Sequence, residues 1–270
     1  MAADLFDVSR EIVVVTGAIG QLGHQFARTL VERGARVVVL DVDVAPERRP
    51  PMPQDSADRL LYLAADICDR AAVERALAAI EATWGAPTAL INNAALDSPP
   101  NAPAEENGPF ETYPKASWDR IMDVNVGGTF VCCQVFGGRM AQAGRGSIVN
   151  ISSIYGMVSP DQRLYEYRAK DGVPFVKPVA YSASKSSLMN LTRYLATYWA
   201  RQGVRVNTLT LAGVFRNQDE QFLAGYTAKM PIGRMAEADE YNGAVLFLCS
   251  GASRYMTGSN LVIDGGWTAW

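Results

Sequence analysis

The chain has 270 residues, 49% of them hydrophobic, and a formal net charge of −3. That apolar share is ample for a packed core and argues against disorder, and the charge balance offers no basic field for nucleic acid. Residues 1–11 carry Asp4, Asp7, Arg10 and Glu11 but no apolar h-region, which speaks against a signal peptide there. Apolar runs such as 12–15 and 37–40 are far too short to span a bilayer, so no membrane partner is expected. Cys68, Cys132, Cys133 and Cys249 lack metal-ligand spacing and read as free thiols of a cytoplasmic protein. The single histidine, His24, leaves no room for a His-based metal site or a Ser-His-Asp triad, so no metal is expected.

Residues 12–15 are wholly apolar and β-branched, the mark of a strand buried on both faces of a parallel sheet. A glycine-rich turn (16–23), a helix over 24–33 stopped by Gly34, and a strand over 35–40 ending at Asp41 complete a βαβ unit. Pro46, Pro50, Pro51 and Pro53 make a continuous helix over 44–59 improbable. Strands follow at 60–64 and 89–91, with an alanine-rich helix at 71–83 between them. A loop from 96 to 116 holds Pro99, Pro100, Pro103, Pro109 and Pro114; loops this long inside a domain are usually functional or disordered. Ser117 is read as the N-cap of a long helix over 118–141. Strands at 147–151, 204–209 and 260–263 alternate with helices at 181–201 and 237–250, and helical pieces lie around 220–229. This alternation predicts an α/β fold, a single doubly wound Rossmann-type domain over 1–270 with a parallel sheet of about seven strands. Insertions near 97–116, 160–178 and 214–231 are assigned to the substrate site.

Gly17, Gly20 and Gly23 follow a strand and open a helix, the context in which glycines let backbone N–H groups approach a pyrophosphate. Asp41, 18 residues beyond Gly23, can accept from both ribose hydroxyls and would repel a 2′-phosphate. With no Arg or Lys in 16–23, NAD(H) is favoured over NADP(H). His24 is assigned to packing or capping the first helical turn.

Tyr181 and Lys185 stand four apart, on one face of their helix. An ammonium beside a phenol favours the phenolate and pulls its pKa down from about 10, which makes a tyrosine a general acid/base. Ser153, if the fold returns it to the same spot, could hold an alcohol or carbonyl oxygen. The pair taken alone also fits a chance coincidence of spacing.

Together these residues resemble the short-chain dehydrogenase/reductase family, compact branch, over essentially the whole length. The match rests on 16–23, Asp66, Asn92-Asn93-Ala94-Ala95, Asn125, Ser153, Tyr181, Lys185, Asn207 and Asp264-Gly265-Gly266. The resemblance implies that Tyr181 is the acid/base, Lys185 lowers its pKa and binds the nicotinamide ribose, Ser153 orients the substrate oxygen, and Asn125 holds a relay water; Ser152 is a structural neighbour. It places the cofactor against Gly17, Ile19, Gly20, Gln21, Leu22, Gly23, Asp41, Asp66, Ile67, Asn93, Ala94, Ala95, Tyr181, Lys185, Gly213 and Val214, and the substrate against Ser153, Tyr155, Arg163, Tyr181 and Phe215. It also implies a homodimer or homotetramer built on the two long helices. Four departures stand out: the G-x-x-G-x-x-G spacing, Leu211-Ala212-Gly213 where the family has Pro-Gly, the proline-rich 44–59 segment, and the 27 residues between Ser153 and Tyr181. That last insertion, with the 196–199 helix end and the Trp267…Trp270 terminus, is similar to dehydrogenases of bacterial nonulosonic-acid (legionaminic or sialic type) sugar pathways. Its Arg163, Arg168, Lys170 and Lys177 could bind a phosphate or carboxylate, though Asp161, Glu166 and Asp171 nearly cancel them, as in a solvated loop. The function expected is NAD-dependent interconversion of a secondary alcohol and a ketone on a small, polar, sugar-like molecule. A hydroxysteroid, lipid or 3-oxoacyl reductase and a non-catalytic dinucleotide sensor are the alternatives.

Overall fold

The computed structural model describes residues 4–97, 104–169 and 172–270. Pro99, Pro100 and Pro103 of the long loop, and Lys170 and Asp171 of the insertion, lie outside the described residues. Seven strands form one sheet in the order β3-β2-β1-β4-β5-β6-β7. They are β1 (Ile12–Thr16), β2 (Arg36–Asp41), β3 (Leu60–Ala64), β4 (Ala89–Asn92), β5 (Gly146–Ser153), β6 (Val204–Leu211) and β7 (Asn260–Ile263). All pairings are parallel. Val15 pairs with Val39 on one side and Ile91 on the other, so the strand order reverses between β1 and β4. In an open parallel sheet a crevice forms beyond the carboxyl ends of the strands at such a switch point.

The helices are α1 (Gln21–Glu32), α2 (Arg70–Thr83), α3 (Lys115–Met122), α4 (Thr129–Cys132), α5 (Gly138–Ala143), α6 (Ile154–Met157), α7 (Val179–Trp199), α8 (Glu220–Ala228) and α9 (Asn242–Cys249). One face of the sheet is covered by α1 and α9, through Phe26, Leu30, Val245 and Leu248. The other is covered by α2, the 115–143 helical run and α7, through Ile80, Phe136, Met140, Leu195 and Trp199. Covering both faces explains the unbroken apolar runs of the strands. Between β2 and β3 stand only two short 3₁₀ turns, Pro46–Arg48 and Gln54–Arg59, as the prolines predict.

Three expectations need correction. Helix α3 starts at Lys115, not after Ser117: Pro114 fixes its own φ at −64° and stands as N-cap. The Ser117 hydroxyl instead donates to the buried Glu106 carboxylate at 2.8 Å. Residues 115–143 are one helical run, interrupted by π-helical turns at Asp123–Gly128 and Cys133–Gly137. Helix α9 begins at Asn242 rather than 237, because Glu240 accepts from the Glu237 N–H at 2.9 Å and pairs with Arg234, holding that stretch as a turn.

A buried polar chain fastens the strands under the crevice. Asn92 Nδ2 donates to Asn150 Oδ1, Asn150 Nδ2 donates to Thr192 Oγ1, and Thr208 Oγ1 donates to Thr192 Oγ1, each at 2.8 Å. This links β4, β5, β6 and α7 inside a dry layer, where an unmet donor carries its full desolvation cost. Among the described residues no helix is long and apolar enough to cross a membrane. Thr192→Val keeps the shape and strips the acceptor from Asn150. It is expected to lower unfolding stability by about 1–3 kcal/mol at unchanged denaturant m-value; an unmoved urea midpoint would contradict the chain's role.

Candidate active site

The crevice begins at the turn between β1 and α1. Gly17 has φ 63°, and a Cβ there would come within 2.7 Å of the Ala94 Cα. At Gly23 a Cβ would meet the Gly17 carbonyl at 2.2 Å, so the helix enters against its own turn. Gly20 is the N-cap and has no side-chain cap bond, which leaves the first N–H groups of α1 to an outside acceptor. Asn93 ties the two edges of the switch point, donating to the carbonyls of Thr16 at 3.0 Å and Gly17 at 3.1 Å. Ala94 N–H donates to the Thr16 hydroxyl, and Ala95 follows on the exposed side. Asp41 closes β2, its carboxylate aimed by the N–H groups of Ile19 (3.0 Å) and Val42 (2.8 Å). Asp66 accepts from the Cys68 N–H, and Ile67 packs so closely on Gly128 that a Cβ there would sit 2.4 Å from its Cδ1. Gln21, next to Leu22, donates across the crevice to the Phe215 carbonyl at 3.3 Å. The Gly213 N–H donates to the Tyr226 hydroxyl at 2.8 Å, and Val214 bridges Ala236. His24 donates to the Pro51 carbonyl, so it packs the helix start against the proline-rich segment.

Ser153, Tyr181, Lys185 and Asn125 converge at the carboxyl end of β5. Ser153 caps α6, its Oγ accepting from the Tyr155 N–H at 3.2 Å, and it stands within hydrogen-bonding reach of the Tyr181 phenol. Ser152 donates to the Lys185 carbonyl at 2.8 Å, the structural role expected of it. Lys185 is buried and donates from Nζ to the Ile151 carbonyl at 2.9 Å. Asn125, in the first π turn, accepts from the Leu96 N–H (2.7 Å) and donates to the Leu96 carbonyl and the Ser184 hydroxyl (2.9 Å each). Its side-chain amide is committed to holding the chain after β4 against α7.

The electrostatics of the pair differ from expectation. Burial raises the Tyr181 pKa well above 10, with Asp97 adding to the rise and the Ser153 hydrogen bond opposing it. Burial pushes the Lys185 ammonium down to about 8. The ammonium does not offset the phenol's desolvation: Lys185 Nζ lies 5.8 Å from the Tyr181 ring centroid and is turned to a carbonyl. In this state the phenol is protonated at neutral pH.

The insertion forms the mouth. Its 3₁₀ segment Gln162–Arg168 turns Leu164 and Tyr165 inward, onto Tyr155, Phe222, Tyr226 and Trp267. Trp267 stacks on Tyr226 with centroids 4.5 Å apart, and Tyr155 and Tyr165 share a hydroxyl hydrogen bond of 3.4 Å. Sequence reasoning missed this aromatic wall, because its members come from four segments with no common spacing. Arg163 is not in it: the guanidinium is paired with Asp161 at 2.7 Å and exposed. Lys229 joins the same Asp161, and Arg168 stacks on Phe175. Among the described residues the cation at the mouth is Lys177, whose Nζ lies 5.1 Å from the Tyr181 ring centroid and bonds Asp97 at 2.5 Å. Lys177 also lines a cavity of about 290 Å³ with Phe110, Tyr113, Gln162 and Ser182.

A buried lysine whose pKa is depressed destabilises the fold wherever it is charged. In the window between about 8 and 10.5 the unfolded state binds more protons, so this penalty falls away as pH rises. Lys185→Met is therefore expected to raise the thermal midpoint at pH 7, with the gain shrinking by pH 9.5. Equal midpoints, or a gap independent of pH, would contradict the burial argument.

A family model described as enoyl-(acyl carrier protein) reductase matches residues 17–268. The chain is 33% identical to D-threitol dehydrogenase of Mycolicibacterium smegmatis, over 97% of this chain and 95% of that protein. A short chain dehydrogenase of Leptospira borgpetersenii, solved with bound NAD+, is 31% identical with a TM-score of 0.85, covering 99% of this chain and 97% of that one. A gluconate 5-dehydrogenase of Burkholderia cenocepacia, solved with NADP and tartrate, is 26% identical with a TM-score of 0.83, covering 99% and 100%. The shared sheet, the switch-point crevice and near-complete coverage lead to one conclusion: the chain belongs to the short-chain dehydrogenase/reductase family of oxidoreductases.

Proposed function

We propose that this enzyme uses NAD(H) to interconvert a secondary alcohol and a ketone on a small polyol or sugar. The observation that carries the proposal is the convergence of Ser153, Tyr181 and Lys185 at the end of β5, beside a glycine turn that leaves the N-terminus of α1 uncapped. The uncapped N-terminus of α1 fits a pyrophosphate, and Asp41 fits a ribose diol while repelling a 2′-phosphate. NAD(H) held there would supply the hydride acceptor or donor. Tyr181, protonated in the resting site, gives its proton to the substrate oxygen in reduction and takes it back in oxidation. Ser153 holds that oxygen, and Lys185, still mostly charged at neutral pH, supplies positive charge behind the phenol. Asn125 holds the chain after β4 against α7 through Leu96 and Ser184, with the relay water assigned to its neighbourhood.

The names of the relatives, a polyol and a sugar-acid dehydrogenase, support a substrate class wider than the nonulosonic-type sugars that the insertion resembles. Exposed Phe130 on α4, with the stacked Tyr194 and Tyr198 on α7, supports a homodimer or homotetramer. Four free cysteines, three of them buried, suit a reducing cytoplasm.

Tyr181→Phe is expected to cut turnover by ~10²-fold or more and to leave NADH binding nearly unchanged; retained turnover would refute the assigned role. Asp41→Ala is expected to narrow the NAD/NADP preference in kcat/KM by ~10-fold, about 1.4 kcal/mol. Better use of NADP(H) by the unaltered enzyme would show that Asp41 has been misread.

A further inference from the structure

We propose that Asp97 and Lys177 form a charge-neutral reader of substrate hydroxyls at the mouth, selecting an uncharged polyol over a carboxylate-bearing sugar acid. The proposal rests on the dehydrogenase reading above and names the substrate class within it. Both residues are rooted in the site. Asp97 directly follows Leu96, whose N–H and carbonyl are both bonded to Asn125. Lys177 stands four residues before Tyr181, and Gln162 fixes its backbone on both sides, accepting from its N–H at 2.8 Å and donating to its carbonyl at 3.3 Å. Pro178, the N-cap of α7, then sets the approach to the helix.

The two members are unequally exposed. The Lys177 side chain is 12% exposed and the Asp97 side chain 50%, so the ammonium is an internal prop and the carboxylate is the face shown to a ligand. A carboxylate held by a buried ammonium accepts from substrate hydroxyls without bringing net charge to the mouth. Its field reaches the centre: Asp97 raises the pKa of Tyr155, Tyr165, Tyr181 and Lys185 alike. The Lys177 charge is already neutralised, whereas a substrate carboxylate would meet Asp97 as a like charge. Among the described residues, Arg163 and Lys229 are both paired with Asp161. On its other side Lys177 borders a cavity of about 290 Å³ with Phe110, Gln162 and Ser182.

The test compares the unaltered enzyme, Asp97→Asn, Lys177→Gln and the double variant, all with NAD. Galactitol and D-threitol are the neutral probes and D-gluconate the anionic one. The unaltered enzyme is expected to favour a neutral probe. Asp97→Asn, which releases the ammonium, should lower the neutral-to-gluconate ratio of kcat/KM by ~10-fold or more, and the double variant should lose that gluconate gain. If Asp97→Asn fails to fold, Lys177→Gln serves instead: it removes the ammonium from the Asp97 carboxylate and should depress gluconate further than the neutral probes. A ratio unmoved within about threefold in these variants, or an unaltered enzyme that prefers gluconate, overturns the pair alone. No turnover of any probe overturns the substrate reading together with the pair.

Discussion

Desolvation of Tyr181 and Lys185 at the carboxyl end of β5 is the constraint on which the rest of the site depends. An ammonium taken out of water needs a partner, and the Ile151 carbonyl of β5 supplies one. Ser152 fixes α7 from below through the Lys185 carbonyl. At Gly156 a Cβ would crowd that carbonyl at 2.8 Å, so the short helix after β5 crosses α7 with backbone nearly touching backbone. The chain from Asn92 to Thr208 then keeps three strands and α7 in register. The chemistry thus rests on a buried, hydrogen-bonded platform rather than on a loop.

The same burial sets the direction in which the site is poised. It drives the phenol up and the ammonium down, away from the charged pair that helical spacing alone suggests. Added positive charge beside the ring, as an oxidised nicotinamide carries, would favour the phenolate. Enzyme and cofactor charge would therefore be coupled through Tyr181, with Asp97 at the mouth as the opposing influence.

Much of the fold was legible in the sequence. Unbroken Val and Ile runs mark strands covered on both faces, and their alternation with helices admits little besides a doubly wound sheet. The glycine turn, Asp41, Ser153, Tyr181 and Lys185 were legible because each sits at a strand end or on a helix with fixed spacing. Other features depend on partners distant in sequence. Ser117 has the chemistry of a cap, but buried Glu106 claims its hydroxyl and Pro114 takes the cap position. Within the π turns Gly128 meets Ile67 and Gly137 meets Trp199, contacts that no local pattern encodes. Arg163 is paired with Asp161, two residues away, a local contact that residue type alone does not show. Asp97 gave one signal only, an acid directly after Asn-Asn-Ala-Ala-Leu at the head of a long loop.

The most direct measurement is a phenolate absorbance titration of the unaltered enzyme minus Tyr181→Phe, run alone and with saturating NAD+ or NADH. The account predicts a Tyr181 pKa above that of a free phenol in the protein alone, and a fall on NAD+ binding larger than any fall with NADH. A Tyr181 that titrates below the ordinary phenol range without cofactor, or that ignores the charge of the nicotinamide, would contradict it.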